Sequence, residues 1–208
     1  MKMLIGNYLI KTKILIKIMK RLFIAIRLPH DESFLTALSD LRSVSNKLDK
    51  INWIRPDNLH ITLKFLGETK PELIPSIENK IVGLISGISP FTITLNRIGA
   101  FGSRYQPRII WIGSKDTIKE IDYLHKGLEK QMQTLGYKHS FGNFVPHATI
   151  ARIHNINDKK FFWKQIESHT HLFNFNFQVK EIILFESILH NLYNPEYKII
   201  KKFELNNE

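Results

Sequence analysis

The chain has 208 residues, 43% of them hydrophobic and 24% charged, with a net charge of +11 and no cysteine. That length buries a core as one domain or as two small lobes sharing a sheet, and the lack of cysteine excludes disulfides, thiolate chemistry and zinc sites built from Cys, which suits a reducing cytoplasm. The excess of Lys and Arg favours a polyanionic partner such as nucleic acid, with compositional drift in a chain rich in Lys, Ile and Asn as the alternative.

Residues 1–18 hold Lys2, Lys11, Lys13 and Lys17 and no acid, so seven of the eleven net charges belong to the remainder. The lysines interrupt any apolar span near the ~20 residues a membrane helix needs, and they break the core a signal peptide requires. This stretch reads as an N-terminal extension of unknown role before a domain spanning residues 19–205, and no membrane association is expected. Arg21 to Leu28 is a run of β-formers stopped by Pro29, a buried strand. Phe34, Leu35, Leu38, Leu41, Val44 and Leu48 recur at helical spacing, giving a helix from Asp31 to Lys47 with Asp31 or Ser33 as its cap.

Ile51 to Ile54 passes through the turn signal Arg55-Pro56-Asp57-Asn58 into Leu59-His60-Ile61-Thr62-Leu63-Lys64-Phe65-Leu66, a strand closed by Gly67. Pro71 to Ile88 is a second helix, Phe91 to Ile98 a strand, Gly99 to Gln106 a loop, and Arg108 to Gly113 another apolar strand. Lys115 to Leu135 is a long helix stopped by Gly136. Phe144 to Ile153 is a strand and Phe161 to Ile166 a short helix; strands at Phe173 to Val179, Glu181 to Ser187 and Tyr197 to Phe203 follow, with a turn at Asn191 to Pro195.

The order strand, helix, strand occurs twice. Ile24 to His60 spans 36 residues and Ile110 to His147 spans 37, with no Pro- or Ser-rich linker between the halves. Two lobes of one domain follow from this, and the irregular mixture of strands and helices favours α+β with antiparallel sheet over a doubly wound fold.

Both second strands carry His-x-Thr: His60-Ile61-Thr62 and His147-Ala148-Thr149. With nine histidines in the chain, chance supplies roughly half of one such tripeptide. A lone strand histidine is most often a hydrogen-bonded structural residue, but two copies at matching places in a repeat point to chemistry. With period 2, His60, Thr62, Lys64 and Leu66 share one face while Ile61, Leu63 and Phe65 face a core. Two imidazoles at one cleft supply a general acid and a general base near neutral pH, and the Thr hydroxyls hydrogen-bond non-bridging phosphoryl oxygens. Neither unit contains Asp, Glu or Cys, so a metal-free site without cofactor is expected.

The stretch Leu59 to Gly67 and the stretch Val145-Pro146-His147-Ala148-Thr149-Ile150-Ala151-Arg152 resemble the paired motifs of the 2H phosphoesterase superfamily, and within it the RNA 2',3'-cyclic phosphodiesterases, also called 2'-5' RNA ligases. Arg21 to Ile26, Trp53-Ile54-Arg55-Pro56, Gly99-Ala100-Phe101 and Pro107 to Trp111 extend the resemblance, which covers about Met19 to Leu205. It implies two pseudo-symmetric lobes whose antiparallel sheets line a central cleft, with helices outside. It also implies hydrolysis of RNA 2',3'-cyclic phosphate ends to 2'-phosphomonoesters, with weak reverse 2'-5' ligation. His60 is then the proton donor, His147 the proton acceptor, and Thr62, Thr149 and Arg152 the substrate-binding residues. The partner is an RNA end such as that of a tRNA fragment, met by a cytoplasmic monomer.

Arg152 has the wrong parity to share a face with His147 and Thr149, so it reaches the cleft only if the strand bulges or ends at Ala151. Small cyclic nucleotides or 2'-5' oligoadenylates are alternative substrates, and a non-catalytic RNA-end-binding protein is the alternative of another class. Phe101, Tyr105 and Trp111 are candidate base-stacking rings, Arg108 a candidate phosphate contact, and His169-Thr170-His171 reads as a solvated loop.

Overall fold

The computed structural model describes residues 19–189 and 195–206; the extension at 1–18 and most of the turn expected at Asn191 to Pro195 lie outside them. In chain order the described strands are β1 (Lys20–Arg27), β2 (Lys50–Trp53), β3 (His60–Thr69), β4 (Phe91–Leu95), β5 (Arg97–Ser103), β6 (Gln106–Gly113), β7 (His147–Asn155), β8 (Phe175–Val179), β9 (Glu181–Ile188) and β10 (Glu196–Glu204). The α-helices are α1 (Glu32–Leu41), α2 (Ile74–Ile85), α3 (Lys119–Gln133) and α4 (Lys159–Leu172). The architecture is α+β and every strand pairing is antiparallel.

The two lobes share one eight-stranded sheet ordered β10-β9-β1-β3-β7-β6-β5, with β2 also paired to β7, while β4 and β8 form a separate ribbon. Strand β2 comes from the first half of the sequence yet pairs with the second half, Lys50 opposite Asn155 and Trp53 opposite Ala151. Alternation along β1 divides the sheet into two faces. Leu22, Ile24 and Ile26 join the large core with Phe34 of α1, Ile77 and Ile81 of α2, Ile121 and Leu124 of α3 and Phe162 of α4. Phe23 and Ala25 point the other way, into a small cluster with Ile183, Phe185, Tyr197 and Ile199.

Local signals account for most element ends. Asp31 caps α1 by accepting from the Phe34 N–H at 2.9 Å, but the helix gives way at Arg42–Val44 to a 3-10 turn and stops short of Lys47. Gly136, with φ of 86°, ends α3 as the Tyr137 N–H reaches the Met132 carbonyl at 3.1 Å. Asp158 caps α4, which runs to Leu172, so His169, Thr170 and His171 occupy a helix turn and not the expected loop. His169 is structural there: Nδ1 lies 2.8 Å from the Gln165 carbonyl and Nε2 lies 2.9 Å from Ser43 Oγ. The expected loop at Gly99 to Gln106 is mostly β5. Glycine hid that strand, and the structure shows why it is there: a Cβ on Gly99 would lie 2.3 Å from the Trp111 ring packed across it.

Strand β3 departs from simple alternation. It continues past Gly67 to Thr69, and its register against β1 slips where Ile24 pairs with Lys64 and Ala25 with Thr62. Leu63 is the extra residue, a β-bulge, and beyond it the faces exchange. Lys64 turns into the core and Phe65 emerges, 46% exposed, the reverse of the parity expectation. Lys64 is 2% exposed and spans to Glu129 of α3, with 2.8 Å to each carboxylate oxygen. It also donates to the Lys138 carbonyl at 2.8 Å and to Ser140 Oγ at 3.1 Å. Burial pushes the Glu129 carboxyl up, but hydrogen bonds from Lys64 and Ser140 outweigh it and hold the group below the ordinary carboxylate range.

Because the folded value is depressed, this stabilisation is present above the unfolded value and is lost as pH falls through the folded one. Lys64→Met leaves a buried, unpaired carboxylate and is expected to cost about 3–5 kcal/mol, read as a lower denaturant midpoint at unchanged slope. Combining it with Glu129→Leu is expected to recover most of that loss.

Candidate active site

Strands β3 and β7 meet near their starts, at the pair Ile61–Ala148, and diverge beyond it. Ile61 and Ala148 are both buried on the core side. Continuing the antiparallel register one residue each way sets His60 opposite Thr149 and Thr62 opposite His147. Directly opposed Cβ atoms stand about 5 Å apart and diagonal ones about 7 Å apart. The four side chains of the two motifs therefore form a crossed quartet on the open face of the sheet, each imidazole facing the other motif's hydroxyl.

The two strands are also bulged at matching places. In β7 the register against β6 slips where Ile110 pairs with Ala151 and Trp111 with Thr149, so Ile150 is the extra residue. It lies 87 positions after Leu63, the same separation as the two histidines. Arg152 thereby emerges on the face of His147 and Thr149, by a bulge one residue earlier than the parity argument required. Each bulge carbonyl is satisfied: that of Leu63 lies 2.8 Å from His125 Nδ1, and that of Ile150 accepts from the Ile54 N–H at 2.9 Å. The pseudo-twofold is broken where the bulges deliver their side chains, Phe65 in the first lobe and Arg152 in the second.

Both imidazoles are oriented alike. His60 Nδ1 lies 2.7 Å from the Asn58 carbonyl and His147 Nδ1 lies 2.7 Å from the Val145 carbonyl. A carbonyl only accepts, so Nδ1 carries the proton in each ring and Nε2 is the atom left for exchange. Rings fix both positions. Phe23 lies 4.9 Å from His60 and Tyr197 meets it edge-on at 5.1 Å, while Phe101 meets His147 edge-on at 4.7 Å. Trp111 stacks on Phe101 at 5.3 Å.

Burial lowers the His60 pKa to about 4, against the pull of the Asn58 carbonyl, and the charges of His147 and Arg152 push it further down. Burial also lowers His147, partly offset by its Val145 contact. The Tyr197 phenol is raised by burial, with Arg152 and Arg21 pulling it back, which places both guanidinium groups within electrostatic reach of the site. Among the described residues no group of three or more His, Asp or Glu gathers as a metal site would need.

His60, Thr62, His147, Thr149 and Arg152 are thus brought to one face. Of the weaker candidates, Phe101 lies against His147, Trp111 is buried behind it, and Tyr105 is 85% exposed at the far turn of the β5–β6 hairpin. Sequence reasoning missed Phe23, Phe185 and Tyr197, which look like ordinary strand aromatics until the register between β1, β9 and β10 gathers them beside His60.

The family model described as LigT-like phosphoesterase matches residues 29–111 and again 112–192, once in each half of the repeat. An RNA 2',3'-cyclic phosphodiesterase of Methanocaldococcus jannaschii is 33% identical over 183 residues, covering 88% of this chain and 99% of the relative. One from Aquifex aeolicus is 31% identical over 156 residues, covering 74% of this chain and 81% of the relative. A crystal structure of a Thermus thermophilus protein superposes with a TM-score of 0.72 at 25% identity, covering 90% of this chain and 99% of that one. Escherichia coli LigT complexed with 3'-AMP gives 0.70 at 24% identity, covering 90% and 98%, a likeness of fold.

A folded His60 value below the unfolded one means that the unfolded chain binds more protons between pH 6.5 and about 4. Stability is expected to fall as pH drops through that window, and His60→Gln to flatten this part of the profile in denaturant titrations. The His60 imidazole resonances are expected to titrate near 4 in the free protein.

Proposed function

Because this chain belongs to the LigT-like phosphoesterase family, we propose that it hydrolyses 2',3'-cyclic phosphate ends of RNA to 2'-phosphomonoesters. The crossed His/Thr quartet at the Ile61–Ala148 junction carries this reading. A cyclic phosphodiester needs a base behind the attacking water, an acid at the leaving oxygen, and donors for the two non-bridging oxygens between them. Two imidazoles on one diagonal and two hydroxyls on the other supply all four, and Arg152 adds a cation for the phosphoryl charge. The relatives' activity on RNA 2',3'-cyclic phosphates and the net charge of +11 agree with an RNA end as substrate.

His147 Nε2 takes a proton from water as its oxygen bonds to phosphorus; the P–O3' bond breaks and O3' takes a proton from His60 Nε2. With Nδ1 protonated, His147 Nε2 is a ready acceptor. His60 must gain a proton first, and the anionic substrate favours this by opposing the charges of Arg152 and His147 that depress it. A group with so low a value is a strong acid once charged. With an RNA 5'-hydroxyl in place of water the same groups give weak 2'-5' ligation: His147 Nε2 takes the proton of O5' as it bonds to phosphorus, and the P–O3' bond breaks with O3' taking the proton of His60 Nε2. The chemistry is complete without a metal, and the binding of a single RNA end asks for no more than a monomer.

The test uses an oligoribonucleotide ending in a 2',3'-cyclic phosphate. A 2'-phosphate product is expected, with His60→Ala and His147→Ala each losing on the order of 10²–10⁴ in turnover and full activity retained with a chelator. Loss of activity on chelation would refute the metal-free scheme. Tight binding of the end without turnover would identify a binding protein instead.

A further inference from the structure

The pseudo-twofold fails at a second place, one strand out from the imidazoles. His147 pairs with Gly113 of β6, whereas His60 pairs with Arg27 of β1. A bare backbone thus flanks one histidine and a cation flanks the other. Arg27 continues the face of Phe23 and Ala25, the open face that carries the quartet, and its Cβ stands about 5 Å from that of His60. Its guanidinium carbon lies 5.6 Å from the centroid of the Phe185 ring, which lies 6.3 Å from the His60 ring. Arg27 Nε is buried and, among the described residues, has no hydrogen-bond partner. The β1–β9 register, continued two residues, sets Glu181 opposite Arg27, but Glu181 is paired with Lys202 at 2.9 Å.

A partly buried guanidinium without an anion is costly unless a ligand supplies one, and its paired N–H donors match the two non-bridging oxygens of a phosphodiester. Arg27 also lines a cavity of about 870 Å³ with His30, Lys180, Lys202 and Glu204, a volume suited to a drug-sized molecule and larger than a phosphoryl group requires. In the hydrolysis proposed above O3' faces His60, so the ribose that carries it lies on that side and the chain leaves from its O5', away from the quartet. Arg27 is the next side chain along that row. We propose that Arg27 binds the phosphodiester immediately 5' to the terminal nucleotide and that the cavity receives the preceding nucleotide, so that the protein selects the ends of RNA chains over cyclic mononucleotides. The proposal rests on that hydrolysis and names its substrate class. The Phe185 ring beneath the guanidinium holds it in place for this contact.

The experiment compares three substrates with the same terminal nucleoside 2',3'-cyclic phosphate: the mononucleotide, a dinucleotide, and that dinucleotide with an uncharged methylphosphonate as its internal linkage. The wild-type protein is expected to prefer the native dinucleotide over each of the others by roughly ten-fold or more in kcat/KM. Arg27→Gln is expected to close the gap between native and methylphosphonate dinucleotides, and Arg27→Lys to keep part of it. Binding of the corresponding 2'-phosphate-ended dinucleotides, read by fluorescence anisotropy, measures the same preference without turnover. Its slope in log affinity against log salt is expected to fall by about 0.7 in Arg27→Gln. Equal handling of the two dinucleotides by the wild-type protein would overturn the proposal, whether or not the variants fold. A loss in Arg27→Gln that is the same for all three substrates would also overturn it, marking a structural arginine. A protein that turns over none of them yet binds the native dinucleotide preferentially would refute the hydrolytic reading while supporting the contact at Arg27.

Discussion

Everything at the cleft depends on two strands touching at one place. If β3 and β7 paired along their length, the sheet would be a closed surface with no cleft; if they did not meet, the two motifs would belong to separate lobes. Contact at Ile61–Ala148 followed by divergence provides both proximity and room. The small Ala148 side chain faces Ile61 on the buried side, where both are almost fully covered, so the junction is held by the core while its outward neighbours remain available.

The bulges at Leu63 and Ile150 complete the arrangement, and each has its own support. A bulge frees a carbonyl that must find a donor. In the second lobe a backbone N–H from Ile54 supplies it, immediately after the strand that crosses over from the first half. In the first lobe the donor is the His125 side chain, whose ring stacks at 3.7 Å on Phe144, three residues before His147. Lys64, the next residue after that bulge, holds Lys138 and Ser140 in the same approach segment. The segment that delivers one histidine is therefore anchored to the strand that carries the other.

The motif faces, the repeat and the α+β class were legible because they rest on local periodicity: His60 and Thr62, like His147 and Thr149, share parity and lie before the bulges. What lies after the bulges was not legible in the same way. Lys64 read as an outward residue since no pattern within β3 announces a partner 65 positions away in α3. Phe65 read as core for the complementary reason. Arg152 illustrates a productive middle case, in which the parity conflict itself pointed to a bulge. Gly99 misled because a glycine in a strand looks like a break unless the ring that needs its bare backbone is known.

The exchange of β2 between lobes bears on how the chain is made. Trp53 pairs with Ala151 and Leu22 with Glu186, so both lobes draw on residues from opposite ends of the sequence. During synthesis β3 follows soon enough to cover one edge of β1, but the other edge of β1 waits for β9 and β2 waits for β7, so two open sheet edges persist until the last third of the chain is available. Contacts of this sequence separation slow folding and extend the period in which such edges can mispair. The arrangement that makes the lobes interdependent in the finished protein thus ties the first half to waiting for the second.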